Sequence, residues 1–111
     1  MHKINIIKKM SDERDERIKK MEEKLDKVTP KINNFEKSLN ELNSAFDDIK
    51  ALSDYYSKEW KEDYEADEQG KIPKDLKRGV LSQDTLYDLL GKLSEMKEDI
   101  TELNNKISQL H

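Results

Sequence analysis

Two stretches of the chain place apolar residues at alternating spacings of three and four, with no position of the repeat left empty. In the first stretch these residues are Ile18, Met21, Leu25, Val28, Ile32, Phe35, Leu39, Leu42, Phe46 and Ile49. In the second they are Leu86, Leu89, Leu93, Met96, Ile100, Leu103, Ile107 and Leu110. A heptad repeat of this kind predicts a helix that keeps one apolar seam against another helix. We call these two sets the first and the second seam.

The two seams predict two long helices. Ser11 followed by two acids suits a helix start, and the first helix is expected over about residues 11–52. An extension before Ser11 is the open alternative, because Ile4 and Ile7 keep the same heptad register. Pro30 falls inside it, but the heptad phase continues across the proline, which predicts a kink and not a break. Ser82 is the expected cap of the second long helix, over residues 83–110. Folded back on each other, these helices form an all-α fold, a long antiparallel and coiled-coil-like hairpin in one domain over residues 1–111.

The connection between the long helices, residues 53–82, predicts a short aromatic helix over 57–69 and a loop over 70–82. Ser57 is its expected cap, and Gly70 suits the left-handed turn that ends a helix. Its aromatic residues at four-residue spacing are expected on one face: Tyr56, Trp60 and Tyr64. The apolar residues of the connection either cap one end of the hairpin core or form a partner-binding surface: Trp60, Tyr64, Ile72, Leu76 and Val80.

Composition agrees with an elongated helical protein. Only 33% of residues are hydrophobic and 41% are charged. A compact globule needs more apolar content, whereas a helical seam needs only two buried positions in seven. The absence of cysteine rules out disulfides and thiol catalysis. No apolar run is long enough to span a bilayer, and residues 1–10 lack the apolar core of a signal peptide. We therefore expect a cytoplasmic protein.

Charge is uneven along the connection. Residues 53–70 contain seven acids and two bases, whereas residues 71–82 contain four bases and one acid. We expect the two blocks to neutralise each other, with Lys77 or Arg78 paired to Asp63 or Asp67. The alternative is a nucleic-acid-associated protein that uses the basic patch Lys71–Arg78. The net charge of −4 argues against that alternative.

Residues 65–72 imitate the start of a calcium-binding EF-hand loop, with oxygen ligands at Glu65, Asp67 and Gln69 and a glycine at Gly70. The bidentate glutamate that closes such a loop is missing, since Leu76 stands at its position. A metal-dependent switch that uses Glu65–Gly70 is a second alternative, but we expect no cofactor.

Catalytic signals are sparse. The two histidines, His2 and His111, stand at opposite ends of the sequence. No Ser-His-Asp pattern and no glycine-rich phosphate loop occurs between them. The sequence therefore predicts a protein that is not an enzyme.

One long motif in the connection is distinctive. It runs from Glu59 to Glu68, resumes from Gly70 to Ser82, and continues through Asp84 and Tyr87–Leu90. This run resembles a family of small bacterial proteins known as domain of unknown function 4298. The resemblance implies a helical fold with a long N-terminal helix and draws attention to the connection, but it implies no particular activity.

Taken together, these patterns predict a non-catalytic protein–protein interaction module of the adaptor, inhibitor or chaperone-like kind. Its partner is a protein of unidentified sequence or a second copy of the chain, and neither nucleic acid nor a membrane is expected. The binding surface is predicted to combine the seam with six residues of the connection: Tyr56, Trp60, Tyr64, Leu76, Lys77 and Arg78.

Overall fold

The computed structural model describes the backbone of residues 2–110 and the side chains of residues 5–110. The helices are α1 (His2–Ser44), α2 (Phe46–Ser57), α3 (Trp60–Glu68) and α4 (Thr85–Ser108), and a single 3₁₀ turn spans Gly79–Leu81. Residues 2–110 contain no strand, so the predicted all-α class is confirmed. The histidine side chains, His2 and His111, lie outside the described part of the chain. Among residues 2–110, no helix combines the length and apolar character needed to cross a bilayer.

The first helix, α1, is longer at its start than predicted. It begins at His2, so Ser11 lies within the helix and does not start it. The nine residues before Ser11 are helical as well, and Ile7 keeps the heptad phase of the first seam there. Pro30 lies inside the helix without ending it, as expected.

The division of the first predicted helix falls at Ala45. The expected single helix over residues 11–52 is therefore two helices, α1 and α2. The N–H of Ala45 is shared between the carbonyls of Glu41 and Leu42, both at 3.1 Å, which is the bifurcated bonding common at helix ends. Contacts within the chain divide it into two compact units at this point, one ending at Ala45 and one beginning at Phe46.

The second unit has its own small core. α2 contacts α3 and α4, while the 3₁₀ turn contacts both α3 and α4, so the chain reverses through the connection. Leu81 in the turn and Leu86 in the first turn of α4 are buried, at 6% and 2% exposure. This reversal confirms the predicted helical hairpin with a short aromatic helix and a loop at the connection.

Local sequence predicts some helix ends of the connection better than others. Gly70 has φ of +72°, and its N–H bonds the carbonyl of Asp67, so α3 ends in the expected left-handed turn. The Ser82 hydroxyl accepts the Thr85 N–H at 3.2 Å, but α4 begins at Thr85 with Asp84 as its N-cap residue, so the expected start at residue 83 is two residues early. Ser57 does not cap α3. Its hydroxyl donates to the carbonyls of Ser53 and Asp54, so it closes α2 instead.

Candidate functional site

Trp60 holds the loop of the connection to α3. Its indole Nε1–H donates to the carbonyl oxygen of Val80 at 2.8 Å. Its ring stacks on that of Tyr64, with centroids 5.0 Å apart and 16° between planes, and lies 5.2 Å from the tilted ring of Tyr56. Aromatic pairs at these distances stabilise a fold beyond the area they bury. Trp60 is half-buried, and this geometry supports its interpretation as a cap on the core.

The three aromatic rings lie together, although not on one helix as predicted. Tyr56 belongs to α2, whereas Trp60 and Tyr64 belong to α3. Residues 58 and 59 form a turn between the two helices. The expectation of one continuous helical face is therefore wrong, because tertiary packing and not a shared helix brings Tyr56 to Trp60.

A second link joins α3 to the loop. The guanidinium of Arg78 donates through Nη1 to Oδ1 of Asp67 at 2.7 Å and through Nη2 to the carbonyl of Lys74 at 3.3 Å. The Arg78 and Asp67 side chains are both partly buried, at 33% and 23% exposure. The predicted pairing of the acidic and basic blocks is thereby confirmed for this pair. A charge-assisted hydrogen bond of this length fixes the position of the loop more than an exposed ion pair would.

The six predicted binding residues fall into two groups. Tyr56, Trp60, Tyr64 and Arg78 make the internal contacts just described. Leu76 and Lys77 are exposed, Leu76 at 55%. The first group thus shapes the connection, and the second is presented to solvent.

The basic patch Lys71–Arg78 suggested nucleic-acid binding, and the acidic segment Glu65–Gly70 suggested metal binding. Lys71, Lys74 and Lys77 of the basic patch are exposed. The acidic segment is the last turn of α3 followed by its left-handed turn, so the EF-hand-like spacing lies mostly on a helix. Its Asp67 carboxylate is bonded to Arg78. Within the described residues, no three His, Asp or Glu side chains are grouped so as to hold a metal ion.

Tyr55 and Asp63 form a contact that no sequence pattern indicated. The phenol of Tyr55, on α2, donates to Oδ2 of Asp63, on α3, at 2.7 Å. Burial raises the pKa of Tyr55 to about 12, with further contributions from the hydrogen bond and charge of Asp63 and from the charge of Glu59. The hydrogen bond is made only by the protonated phenol, so it ties α2 to α3 in that form.

We predict that this contact makes the second unit sensitive to alkaline pH. Because the folded-state pKa lies above the ordinary value of 10.0, the stabilisation is complete below pH 10.0 and is lost as pH rises towards about 12. The measurement is the difference in unfolding free energy between the native chain and Tyr55→Phe across this range. The difference should shrink as pH rises through the window. A difference that stays constant from below pH 10.0 to about 12 would contradict the assignment.

Most residues of the apolar seams are exposed in each unit, whereas Leu86 of the second seam is buried. In α1 the seam residues from Ile18 to Leu39 are between 41% and 60% exposed. In α4, Leu89, Ile100 and Ile107 are 52%, 45% and 57% exposed. The surface depressions found along α1 and α4 are each lined by side chains of a single helix. The seams thus present regularly spaced, exposed apolar side chains along both helices.

The family model for domain of unknown function DUF4298 matches residues 18–106. The chain belongs to this family. The match begins at Ile18, the first residue of the first seam, takes in the connection and ends near the end of α4. The DUF4298 region thus contains most of both seams, and the resemblance inferred from the connection is confirmed. Neither the curated proteins nor the solved structures contain a match to the chain.

Proposed function

We propose that this DUF4298 protein is a non-catalytic protein–protein interaction module of the bacterial cytoplasm. It binds a protein partner or a second copy of itself through its heptad seams, and the segment from Trp60 to Val80 supplies a further contact surface. Its role is that of an adaptor, an inhibitor or a chaperone-like protein.

The exposed seams carry this proposal. A helix in water owes most of its stability to the packing of its apolar face, since intrinsic propensity alone is marginal. The first seam runs through α1 at three- and four-residue spacing, yet its side chains from Ile18 to Leu39 are at least 41% exposed. Regular apolar stripes of this kind match the grooves and helices that bind amphipathic helices. Burial against another chain would complete the packing that the spacing requires.

The loop of the connection, held by two hydrogen bonds, offers a second contact surface next to α4. Trp60 and Arg78 anchor the loop at Val80 and Asp67 through hydrogen bonds of 2.8 and 2.7 Å. Leu76 in the loop and Tyr87 in α4 are large side chains left 55% and 63% exposed. Exposed aromatic and aliphatic side chains on an ordered segment are typical anchors of protein interfaces.

Two carboxylates of the connection are hydrogen-bonded within the fold, which supports a structural role for them and not a catalytic one. Asp67 bonds Arg78 and Asp63 bonds Tyr55, so these two carboxylates are engaged within the fold. A carboxylate that serves as acid or base must instead meet a substrate in a pocket. We accordingly infer that Asp63 and Asp67 stabilise the fold of the connection and do not act as an acid or a base.

The test is affinity capture from a lysate of the native host, followed by mass spectrometry. The native chain is compared with the seam variant Ile100→Glu/Leu103→Glu and with Thr101→Glu/Asn105→Glu, which adds the same charge at exposed positions off the seam. A third variant, Leu76→Ala/Lys77→Ala, tests the connection. Fluorescence of Trp60, the single tryptophan, reports whether each variant keeps the folded connection.

We expect the native chain and the off-seam control to retain the same protein, and the seam variant to lose it. Retention that is equal in all four proteins would refute binding through the α4 seam and Leu76. A native chain that retains no protein and is also monomeric in solution would refute the interaction function as a whole.

A further inference from the structure

The charged residues that border the seam of α1 indicate which kind of helix can pair with this seam. With Ile18 at heptad position a and Met21 at position d, the positions that border the seam are e on one side and g on the other. The g edge carries only basic side chains over three heptads, Arg17, Lys24 and Lys31. Over residues 15–36 the e edge has four positions, of which three are acidic and one is Thr29; the acids are Asp15, Glu22 and Glu36. Opposite charges therefore run along opposite edges of one helix.

Because bases line one edge of α1 and acids line the other, parallel and antiparallel pairs of α1 helices differ in which charges face each other. In a parallel pair, each g residue faces the e residue five positions later on the other helix. Arg17 would then face Glu22 of the second copy, and Lys31 would face Glu36, on both sides of the seam. In an antiparallel pair, g edges face g edges and e edges face e edges, so bases oppose bases and acids oppose acids. The charge pattern fits a parallel pair.

The charges of α1 are available for such pairing. The ion pairs found among residues 5–110 are Arg14 with Asp15, Arg78 with Asp67, and Lys106 with Glu102. Of the edge residues, Asp15 alone takes part in one of them, and that pair is exposed at 3.3 Å. The other charged edge residues are exposed, as are the seam residues between them.

The second seam offers α1 a poorer match. With Leu86 at position a, the charged border positions of α4 are Lys92, Lys97, Asp99 and Lys106, so both of its edges carry lysine. In a parallel pair the basic edge of α1 would face an α4 edge whose one charged residue is Lys97, and in an antiparallel pair it would face the edge with Lys92, Asp99 and Lys106. Another α1 helix supplies an acidic edge for the basic one and a basic edge for the acidic one.

Pro30 does not obstruct this surface. It falls at position f of the heptad, on the side of α1 opposite the seam. The neighbouring Thr29 donates its hydroxyl to the carbonyl of Leu25 at 2.7 Å, and the helix continues through both residues. The seam is thus continuous from Ile18 to Leu39.

We infer that two copies of this protein pair through α1 as a parallel, in-register coiled coil, with the basic edge of each helix against the acidic edge of the other. The inference rests on the proposed interaction function and specifies its partner at this surface. The apolar seam supplies the affinity, and the edge charges determine orientation and register.

The experiment measures the mass of the full chain in solution by sedimentation. One variant, Arg17→Glu/Lys24→Glu/Lys31→Glu, makes both edges acidic, and another, Asp15→Lys/Glu22→Lys/Glu36→Lys, makes both basic. Lys20→Glu/Lys27→Glu/Lys37→Glu is the matched control, because it changes the charge as much as the acidic variant at positions away from the seam. Trp60 fluorescence reports that the second unit stays folded in every sample.

We expect the native chain and the matched control to be dimers. Each edge variant alone should dissociate with a constant raised roughly tenfold or more, because like charges then line both sides of the seam. An equal mixture of the two edge variants should restore a dimer. A monomeric native chain, edge variants that dimerise as well as the control, or a mixture that stays monomeric would each overturn the inference.

Orientation is tested by Ser11→Cys in the cysteine-free chain, since Ser11 stands at position a one heptad before Ile18. In a parallel dimer the two introduced thiols are adjacent and should form a disulfide under mild oxidation. An antiparallel dimer keeps them at opposite ends and should not. A monomeric native chain that still captures a host protein through α4 would overturn this inference and leave the proposed interaction function standing.

Discussion

Replacing Trp60 with alanine is expected to lower the free energy of unfolding of the second unit by ~3 kcal/mol, near the lower end of the range for large aromatic side chains removed from a core. The substitution removes the ring that stacks on Tyr64 and lies beside the tilted ring of Tyr56, together with the hydrogen bond to the Val80 carbonyl. Because Trp60 is half-buried, the loss should not reach the largest values known for fully buried tryptophans. The loop would then be held mainly by Arg78.

The measurement is chemical unfolding followed by circular dichroism, with hydrogen exchange by mass spectrometry to locate the loss. Trp60→Phe is the control, because it keeps an aromatic ring but cannot donate to Val80. It should cost ~1 kcal/mol, the usual net value of one hydrogen bond. Faster exchange should appear in residues 60–93 and not in α1. An unfolding curve for Trp60→Ala that matches the native curve would refute the structural role and return Trp60 to the candidate partner surface.

Leu86→Ala is expected to have an effect of similar size, ~3 kcal/mol, for a different reason. Leu86 has 2% of its surface exposed, the smallest value among the core residues of the second unit. It lies in the first turn of α4, where it is buried with Leu81 of the 3₁₀ turn. Truncation removes buried methyl groups and leaves a cavity that a small core can fill only in part.

Tyr87→Ala is the matched control for Leu86→Ala. It removes a larger side chain at the next position of the same helix, but that side chain is 63% exposed. The control should change the free energy of unfolding by no more than about 0.5 kcal/mol. Denaturant unfolding monitored by Trp60 fluorescence reports on this unit in both variants. Equal effects of the two substitutions would show that Leu86 does not form the core that its burial indicates.

These two residues also show how far sequence reasoning reaches. Leu86 is a member of the second seam by its spacing, and nothing in that spacing separates it from Leu89, which is 52% exposed. Both the 3₁₀ turn and α2 contact α4, and only the tertiary packing of α4 separates the buried Leu86 from the exposed Leu89. A heptad repeat predicts which face of a helix is apolar, but the burial of each position depends on what packs against it.

Local chemistry predicted several features of the connection correctly. Gly70 ends α3 because glycine adopts positive φ without a steric penalty. The Ser82 hydroxyl accepts the N–H of Thr85, the first residue of α4, as a hydroxyl next to a helix start can. The pairing of Arg78 with Asp67 followed from adjacent blocks of opposite charge. Each of these features depends on residues close together in the chain.

The errors concern helix boundaries and a contact between elements. The break at Ala45 carries neither proline nor glycine, so local propensity gives no sign of it, whereas Pro30 carries the usual sign and the helix continues through it. The contact between Tyr55 and Asp63 joins two helices across a turn that the sequence did not predict. Their side chains meet only once α2 and α3 have packed.

The sequence by itself determined that the protein is helical, where its apolar seams run and how charge is distributed along their edges. These properties follow from residue spacing and from the geometry of a single helix. Only the tertiary structure decided that Trp60 bonds the loop at Val80, that Leu81 and Leu86 form the core of the second unit, and that Leu89 of the same seam is exposed. Burial is a property of which segments meet, and segments distant in sequence meet through packing that no local pattern encodes.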